Sequence, residues 1–440
     1  MFLVSSLLVL YKNTKNNPNS KEKLFNISLV LQLNLFKSGI LKKQRNKIIK
    51  YDLNLLLFGF LIAFFSSFGQ TFLLSLYVPS IEQLLQISNT EFGSIYAVAT
   101  LGSALSLPWL GGYFDKVDVR SYSLMVIAGL FISLLLLSFS YHVLMVIVSF
   151  YGLRLFGQGL MTHTSVSTMS RYFSTNRGKA IGVVGVGHPA GEAVMPLIIT
   201  LLIGVVGWRG TLQISALSTI LIVVPLAIIL LNRSKIRIRF YHMQHSHATK
   251  QLEKINVRKI IRQKQFWIIA PLVFIVGFTN TAIFFFQLKL GEAKGWSPEW
   301  VAGSISAFAL GGAVGMTSIG GFVDRYTAIK LFPYHMLGYI FGLIALILFD
   351  HPLVYPVALA LFGLGGGTGN TIKNAMFTEI YGAQIIGQVR STFVMLMVLS
   401  TALGPVVFGI MLDMNISYTS IFIGVLITTI LTSLNGLRRF

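Results

Sequence analysis

Long apolar segments alternate with short polar connections from residue 53 to the end of the chain. Several segments contain no Asp, Glu, Lys or Arg over about 20 residues, the length that an α-helix needs to cross the bilayer core. The pattern predicts an all-α integral membrane protein with twelve transmembrane helices. The predicted spans lie near 53–78, 92–113, 121–140, 143–168, 179–204, 211–231, 266–288, 299–321, 329–349, 352–373, 386–411 and 416–435.

Two connections carry clear helix-start signals. Ser88 is followed by Glu91, which predicts a capping box at the start of the second span. Ser297 followed by Pro298 and Glu299 predicts the start of the eighth span, because proline fits the first helical turn.

The basic residues of the connections assign the orientation. Connections on alternate sides differ sharply, since those on one side hold most of the 35 Lys and Arg and those on the other hold only Arg209, Lys289 and Lys294. Because cytoplasmic loops are enriched in Lys and Arg, both termini are predicted to be cytoplasmic. The even number of spans agrees with that placement.

The chain divides into four parts on the same pattern. Residues 1–50 are predicted to be a poorly ordered basic leader, and 51–232 a first six-helix bundle. A basic, polar cytoplasmic linker covers 233–264, and 265–440 forms a second six-helix bundle.

Composition narrows the function classes. The chain is 54% apolar and only 11% charged, whereas soluble domains carry roughly 25% charged residues, so a soluble, disordered or fibrous protein is excluded. The net charge of +21 is explained by the cytoplasmic connections, so no nucleic-acid partner is predicted. The chain has no cysteine, phosphate-binding loop, metal-ligand cluster or nucleophile–base pair within its spans, so we predict no cofactor, no metal and no enzymatic activity.

The two halves repeat at an offset of 209 residues. The segment from Gly111 to Lys116 (GGYFDK) aligns with the segment from Gly320 to Arg325 (GGFVDR), and the same offset pairs Ser88 with Ser297. A duplicated six-helix unit is typical of secondary transporters.

With these motifs the sequence resembles the major facilitator superfamily over residues 53–437. The superfamily signature after the second helix is a glycine, then Asp and a basic residue, with a further cation shortly after. The first copy here is Gly112, Asp115, Lys116 and Arg120, and the weaker second copy is Gly321, Asp324 and Arg325. The resemblance implies a gating role for these seven residues, in which Asp115 caps the cytoplasmic start of helix 11 and closes that side.

Finer motifs resemble the branch of monocarboxylate and oxalate/formate carriers. They include Arg171-Tyr172-Phe173, the following Arg177-Gly178-Lys179 and Gly404-Pro405.

Two charged residues lie well inside the predicted spans, where a charge costs a few kcal/mol and is a functional candidate by default. Arg154 on span 4 and Glu192 on span 5 approach the midplane from opposite sides, and a pair between them is a functional or a purely structural ion pair. His188 shares a helical face with Glu192, so these two side chains form a candidate proton relay.

Other polar residues complete the candidate site. Gln70 and Asn280 lie at matched depth in the first spans of the two halves. Lys373 and Arg390 either contact an anion or extend to the interface. The further candidates on span 10 are Asn370 and Asn374.

We therefore predict a secondary active transporter that moves a small solute by alternating access. Arg154 can hold a carboxylate through two hydrogen bonds, so the predicted substrate is a monocarboxylate-like organic anion, with proton symport through Glu192. The expected partners are the lipid bilayer, the anionic solute and protons, and the expected form is a monomer in the plasma membrane. Two alternatives stay open: a proton-driven exporter of amphiphilic compounds, suggested by glycine and Pro189 in span 5, and a non-transporting membrane sensor.

Overall fold

The structure is a computed structural model that describes residues 52–173, 177–235, 237, 260–381 and 386–439. The predicted leader and most of the predicted linker lie outside the described residues. Within the described ranges the chain is helical and contains no strand. This agrees with the predicted all-α fold.

The first half contributes six helices. They are α1 (Leu53–Gly69 and Thr71–Leu85, bent by 47°), α2 (Asn89–Tyr113), α3 (Val119–Ser138), α4 (Val143–Tyr172), α5 (177–206) and α6 (208–233). Between α5 and α6, Gly207 has a φ of 72°. Glycine adopts this positive φ readily because it has no Cβ to clash with the backbone. This residue turns a continuous helical stretch into two spans.

The second half repeats the arrangement. Its helices are α7 (Lys264–Phe285, followed by the short helix Gln287–Ala293), α8 (Pro298–Ser318, continued by Gly320–Tyr326), α9 (Ala328–Leu348), α10 (Val354–Tyr381), α11 (Ile386–Asp413) and α12 (Tyr418–Arg439).

The span count agrees with the prediction. Among the described residues, nine helices are long and apolar enough to cross a membrane, or ten when the two parts of α1 count as one span. One of the nine runs from Arg177 to Arg233 and is divided at Gly207, and α10 adds a further 28-residue helix. The described residues therefore form twelve long helices, six in each half, that correspond to the twelve predicted spans.

The predicted starts of α2 and α8 are confirmed. Ser88 accepts a hydrogen bond from the Glu91 N–H, and the Glu91 carboxylate accepts one from the Ser88 N–H, which makes the capping box. Ser297 accepts from the Trp300 N–H ahead of the helix that Pro298 begins.

Several helices are longer than their predicted spans. α1 reaches Leu85 rather than residue 78, and α10 reaches Tyr381 rather than residue 373. The prediction measured only the apolar length, whereas these helices continue into polar sequence beyond it.

The two halves meet closely at the outer ends of α2 and α11. A Cβ on Gly93 would lie 2.6 Å from the Pro405 carbonyl oxygen, and one on Gly409 would lie 2.6 Å from the Asn89 carbonyl oxygen. Small residues let helix backbones approach this closely in a membrane. The two halves are therefore in direct backbone contact on the outer side where α2 meets α11.

Candidate transport cavity

Two adjoining cavities occupy the inner half of the molecule. The first, of about 680 Å³, lies mainly between α2, α4 and α11, and the second, of about 360 Å³, lies mainly between α5, α7, α8 and α10. Both are lined by His188, Asn370, Met397 and Thr401, so they adjoin at the boundary between the halves. We call them the N-half cavity and the C-half cavity.

Arg154 lies on an unusual turn of α4. Residues Leu153–Met161 form a π-helical segment, a rare geometry that is often found at functional sites. The segment includes Gly157, which packs against Gly69 of α1 so tightly that a Cβ would lie 2.7 Å from the Gly69 Cα. The wide turn directs Arg154 and Gln158 to the N-half cavity.

The Arg154 guanidinium is buried with few partners. The residue is 4% exposed, and it donates one hydrogen bond of 3.2 Å to the Thr71 hydroxyl. Its Cζ lies 5.1 Å from the centre of the Tyr96 ring, and its Nε has no hydrogen-bond partner. A guanidinium has five N–H donors, so most of this group's hydrogen-bonding capacity is unused.

No carboxylate of the described residues forms a salt bridge with Arg154. The four salt bridges found there join Arg171 to Asp115, Arg237 to Asp118, Lys289 to Glu82 and Lys294 to Asp350. A buried cation without an anionic partner is costly, which marks Arg154 as a candidate functional residue.

The predicted pair between Arg154 and Glu192 is not formed in this structure. Arg154 points towards Thr71 and Tyr96, while Glu192 lines the C-half cavity. Residues 64–69 of α1 pack against both α4 and α5: a Cβ on Gly157 of α4 would lie 2.7 Å from the Gly69 Cα, and one on Gly191 of α5 would lie 2.7 Å from the Phe64 carbonyl oxygen. α1 therefore separates the two charges.

Glu192 and His188 line the C-half cavity together, as their shared helical face predicts. Glu192 is 7% exposed and forms no salt bridge with the described residues. The His188 ring packs edge-on against Phe72 at 6.2 Å between ring centres. A helix break at Val186 precedes both residues, which places them at the start of the long part of α5.

Of the predicted polar set in the second half, three residues line the C-half cavity and two do not. Asn280 donates a 2.9 Å hydrogen bond to the Tyr339 hydroxyl, and its Oδ1 is buried without a partner. Lys373 and Asn370 line the same cavity, whereas Asn374 and Arg390 line neither cavity. Asn374 instead donates to the Asn370 carbonyl oxygen.

A polar cluster joins the halves on the outer side. The Asp413 carboxylate at the end of α11 accepts four hydrogen bonds from α2: 3.1 Å and 2.7 Å from the backbone and side chain of Asn89, and 2.8 Å and 2.6 Å from those of Thr90. Lys289 donates to Asn89 and lies 2.5 Å from the Glu82 carboxylate. We call these five residues the outer lock.

The comparison with protein families decides the identity of the fold. The sequence from residue 59 to residue 405 matches the family model described as Major Facilitator Superfamily. The chain belongs to this superfamily. It therefore has the fold of a multi-pass membrane transporter and not that of an enzyme.

Solved structures of two transporters share the architecture. The structure of the nucleoside transporter NupG is similar with a TM-score of 0.70 at 12% identity, covering 88% of this chain and 99% of that one. A bacterial homologue of the human lysosomal transporter Spinster, in an inward-facing, unoccupied conformation, gives 0.65 at 14%, covering 90% and 96%. The comparison with curated proteins returns no match. At these identities the likeness establishes the fold alone.

The superfamily gating motif lies at the cytoplasmic end of α2. Asp115 is 82% exposed at its side chain and bonds Arg171 of α4 at 3.2 Å, so its described contact lies within one half and not on α11. Arg171 also donates to the Phe114 carbonyl oxygen and lies over the Phe114 ring, which anchors the motif loop to α4. These contacts hold the loop within the first half, and the gating role stays a prediction.

The other motif residues are mostly at the surface. A Cβ on Gly112 or Gly321 would meet no atom within 4 Å. Lys116 is exposed and Arg120 half-buried. In the second copy Arg325 is exposed beside Tyr326, and the side chain of Asp324 lies outside the described residues.

Sequence reasoning missed part of the N-half cavity. Besides Arg154 and Gln70, its polar wall includes Thr100, Gln158 and Thr162. Gln158 and Thr162 follow Arg154 at intervals of four, which is a signal in the sequence. His163 lines the cavity as well.

Proposed function

We propose that this superfamily member is a secondary active transporter of a small organic anion. The observation that carries the proposal is the buried Arg154 guanidinium, which lines a cavity and has no carboxylate partner among the described residues. A carboxylate can accept two parallel hydrogen bonds from such a group. The motifs that resemble monocarboxylate and oxalate carriers point to the same substrate class.

The transport cycle follows from the positions of the cavities and the outer lock. The cavities lie in the inner half and the outer half is closed, so this is the state that exchanges solute with the cytoplasm. Opening of the outer lock, with approach of the inner ends of α2 and α11, would present Arg154 to the other side. Rigid-body movement of two bundles around a fixed site is the usual form of alternating access.

Glu192 is the group we assign to proton coupling. It is buried, no described cation pairs with it, and it lines the cavity beside His188. Burying a carboxylate charge without a cation costs free energy that binding of a proton removes. We therefore expect Glu192 to bind a proton when the alternating-access movement shields it from water, and to release the proton when the movement exposes it again.

A single chain supplies both halves of both cavities, so we propose that the monomer is the functional unit. The basic connections favour insertion with both termini in the cytoplasm, and we propose the plasma membrane as the location.

Proteoliposome uptake tests this function. Purified protein is reconstituted, and uptake of radiolabelled lactate, pyruvate and oxalate is measured with and without an inward proton gradient. We expect uptake of at least one of them, loss of that uptake in Arg154→Gln, and a large loss in Arg154→Lys, because ammonium cannot form the two-pronged contact.

The matched control is Arg233→Gln, which removes an exposed cation at the end of α6. It should leave uptake unchanged. If none of the three anions is carried or competes, or if Arg154→Gln transports like the unaltered protein, the organic-anion function is wrong.

One observation favours a second candidate, export of amphiphilic compounds. An apolar groove of about 770 Å³ between α7, α11 and α12 is lined by aromatic and aliphatic side chains, among them Trp267, Phe274 and Phe278. A groove of this kind suits the apolar part of an amphiphile. Ile421→Trp would fill this groove. Proton-driven efflux of ethidium that is reduced in Ile421→Trp would favour the export function. If the protein does not change the retention of ethidium, export of this compound is excluded.

A further inference from the structure

The N-half cavity has several polar side chains on its α2 and α4 side besides Arg154. Thr100 and Ser103 of α2 and Gln158, Thr162 and His163 of α4 face it. The opposite wall on α11 is mostly apolar, with Val394, Met397 and Val398. A bare carboxylate needs only the guanidinium, so the remaining polar groups require a further explanation.

Several of these groups are buried and unpaired. The Thr100 and Thr162 hydroxyls, the His163 Nδ1 and the Arg154 Nε have no hydrogen-bond partner. On the same helix, Thr164 donates to the Leu160 carbonyl oxygen and Thr168 to that of Thr164, each at 2.6 Å, and the Ser167 hydroxyl pairs with His163 Nε2 at 3.2 Å. The buried polar atoms of α4 that lack a partner all belong to residues that line the cavity.

The chemistry of the unpaired groups defines their complement. Hydroxyls and a neutral imidazole donate and accept single hydrogen bonds, which matches alcohol groups. An alkyl chain would leave these groups unpaired, and sites built from buried polar groups reject substrates that lack the matching hydroxyl. A cavity of about 680 Å³ is also far roomier than a two-carbon acid needs.

We propose that the carried anion is a hydroxylated carboxylate. Its carboxylate binds Arg154, and its hydroxyls bind a subsite formed by Thr100, Gln158, Thr162 and His163. Its carbon backbone lies against the apolar wall of α11. This inference rests on the proposed function, because it assumes that Arg154 holds the carboxylate.

Equilibrium binding to the purified full-length protein tests the inference. Isothermal titration calorimetry compares gluconate and galactonate, two polyhydroxylated six-carbon acids, with hexanoate, which has the same chain length and no hydroxyls, and with sorbitol, which has no carboxylate. At least one hydroxy acid should bind about tenfold or more tightly than hexanoate, and sorbitol should bind weakest.

The variant Thr162→Val keeps the side-chain shape and removes the hydroxyl. It should weaken binding of the hydroxy acid by about tenfold and leave hexanoate unchanged. Thr168→Val on the same helix is the control, because its hydroxyl is already paired with a carbonyl oxygen, and it should change neither.

Three results would overturn the inference. Hexanoate binding as tightly as both hydroxy acids, or equal weakening of hexanoate and hydroxy acid by Thr162→Val, would remove the hydroxyl subsite while anion transport through Arg154 stands. Binding of sorbitol as tightly as the hydroxy acids would overturn the anion function itself, and this inference with it.

Discussion

The outer lock makes a quantitative prediction about the balance between the two conformations. Asp413 of α11 carries a negative charge to the start of α2, where four donors of Asn89 and Thr90 point at it. Asp413→Asn removes the charge and replaces one accepting oxygen by an amino group. The substitution therefore weakens only the closed outer side.

The size of the effect follows from the contacts. A carboxylate at an exposed helix N-terminus contributes about 0.3–1 kcal/mol. Hydrogen bonds to a charged group are also stronger than those to a neutral one. Because Asp413 is exposed to solvent, the loss stays within this range, and about 0.3–1 kcal/mol shifts the population about two- to fivefold towards the state with an open outer side.

Double electron–electron resonance measures this shift. The chain contains no cysteine, so spin labels attach only at engineered sites. Leu84→Cys at the outer end of α1 and Leu353→Cys before α10 place one exposed label on each half. The fraction of long label–label distances should rise in Asp413→Asn, and the difference should shrink at high salt, which screens exposed charges.

Asp350→Asn is the matched control. Asp350 is also an exposed outer acid, but its partner Lys294 lies in the same half of the molecule. It should leave the distance distribution unchanged. An unchanged distribution in Asp413→Asn, or an equal shift in both variants, would refute the reasoning.

Three further predictions follow from the packing and the buried charge. Glu192→Gln should abolish proton-driven accumulation in proteoliposomes and spare exchange, while the exposed Glu299→Gln should behave like the unaltered protein; unchanged accumulation would dismiss the proton role. Gly93→Ala should favour the open outer side in the same resonance assay, because the added Cβ would lie 2.6 Å from the Pro405 carbonyl oxygen. An unchanged distance distribution would contradict this prediction, because it would mean that α2 and α11 can move apart enough to accept the methyl group. Gly157→Ala should lower the stability of the fold by about 1–3 kcal/mol, because the added Cβ would collide with the α1 backbone at Gly69. Gly424→Ala is the control, because a Cβ there would meet no atom within 4 Å. Equal melting temperatures of the two variants would contradict this prediction.

The fold could be predicted from the sequence because the bilayer imposes a simple rule. Apolar length, charge placement and the repeat around Asp115 and Asp324 are each local features of the sequence, and together they specify the span count and the superfamily. The capping box at Ser88 and Glu91 is equally local, and it is present in the structure.

The site could be predicted only in part, because its geometry depends on contacts between distant residues. Depth in the membrane identified Arg154 and Glu192 but not the α1 segment that separates them. Gln158 and Thr162 follow Arg154 at intervals of four and could have been found from that spacing, whereas the π-helical turn that carries Arg154 and Gln158 could not be predicted from the sequence. The role of Asp413 depends on a neighbour 324 positions away in the chain.

Counterflow in proteoliposomes tests the central claim most directly. Vesicles loaded with an unlabelled carboxylate (lactate, pyruvate, oxalate or gluconate) are diluted into a trace of the same labelled compound. An alternating-access carrier that holds the anion at Arg154 should accumulate label transiently above the external level, with Arg233→Gln unchanged and Arg154→Gln inactive. Absence of counterflow for every compound, or full counterflow in Arg154→Gln, would contradict the account.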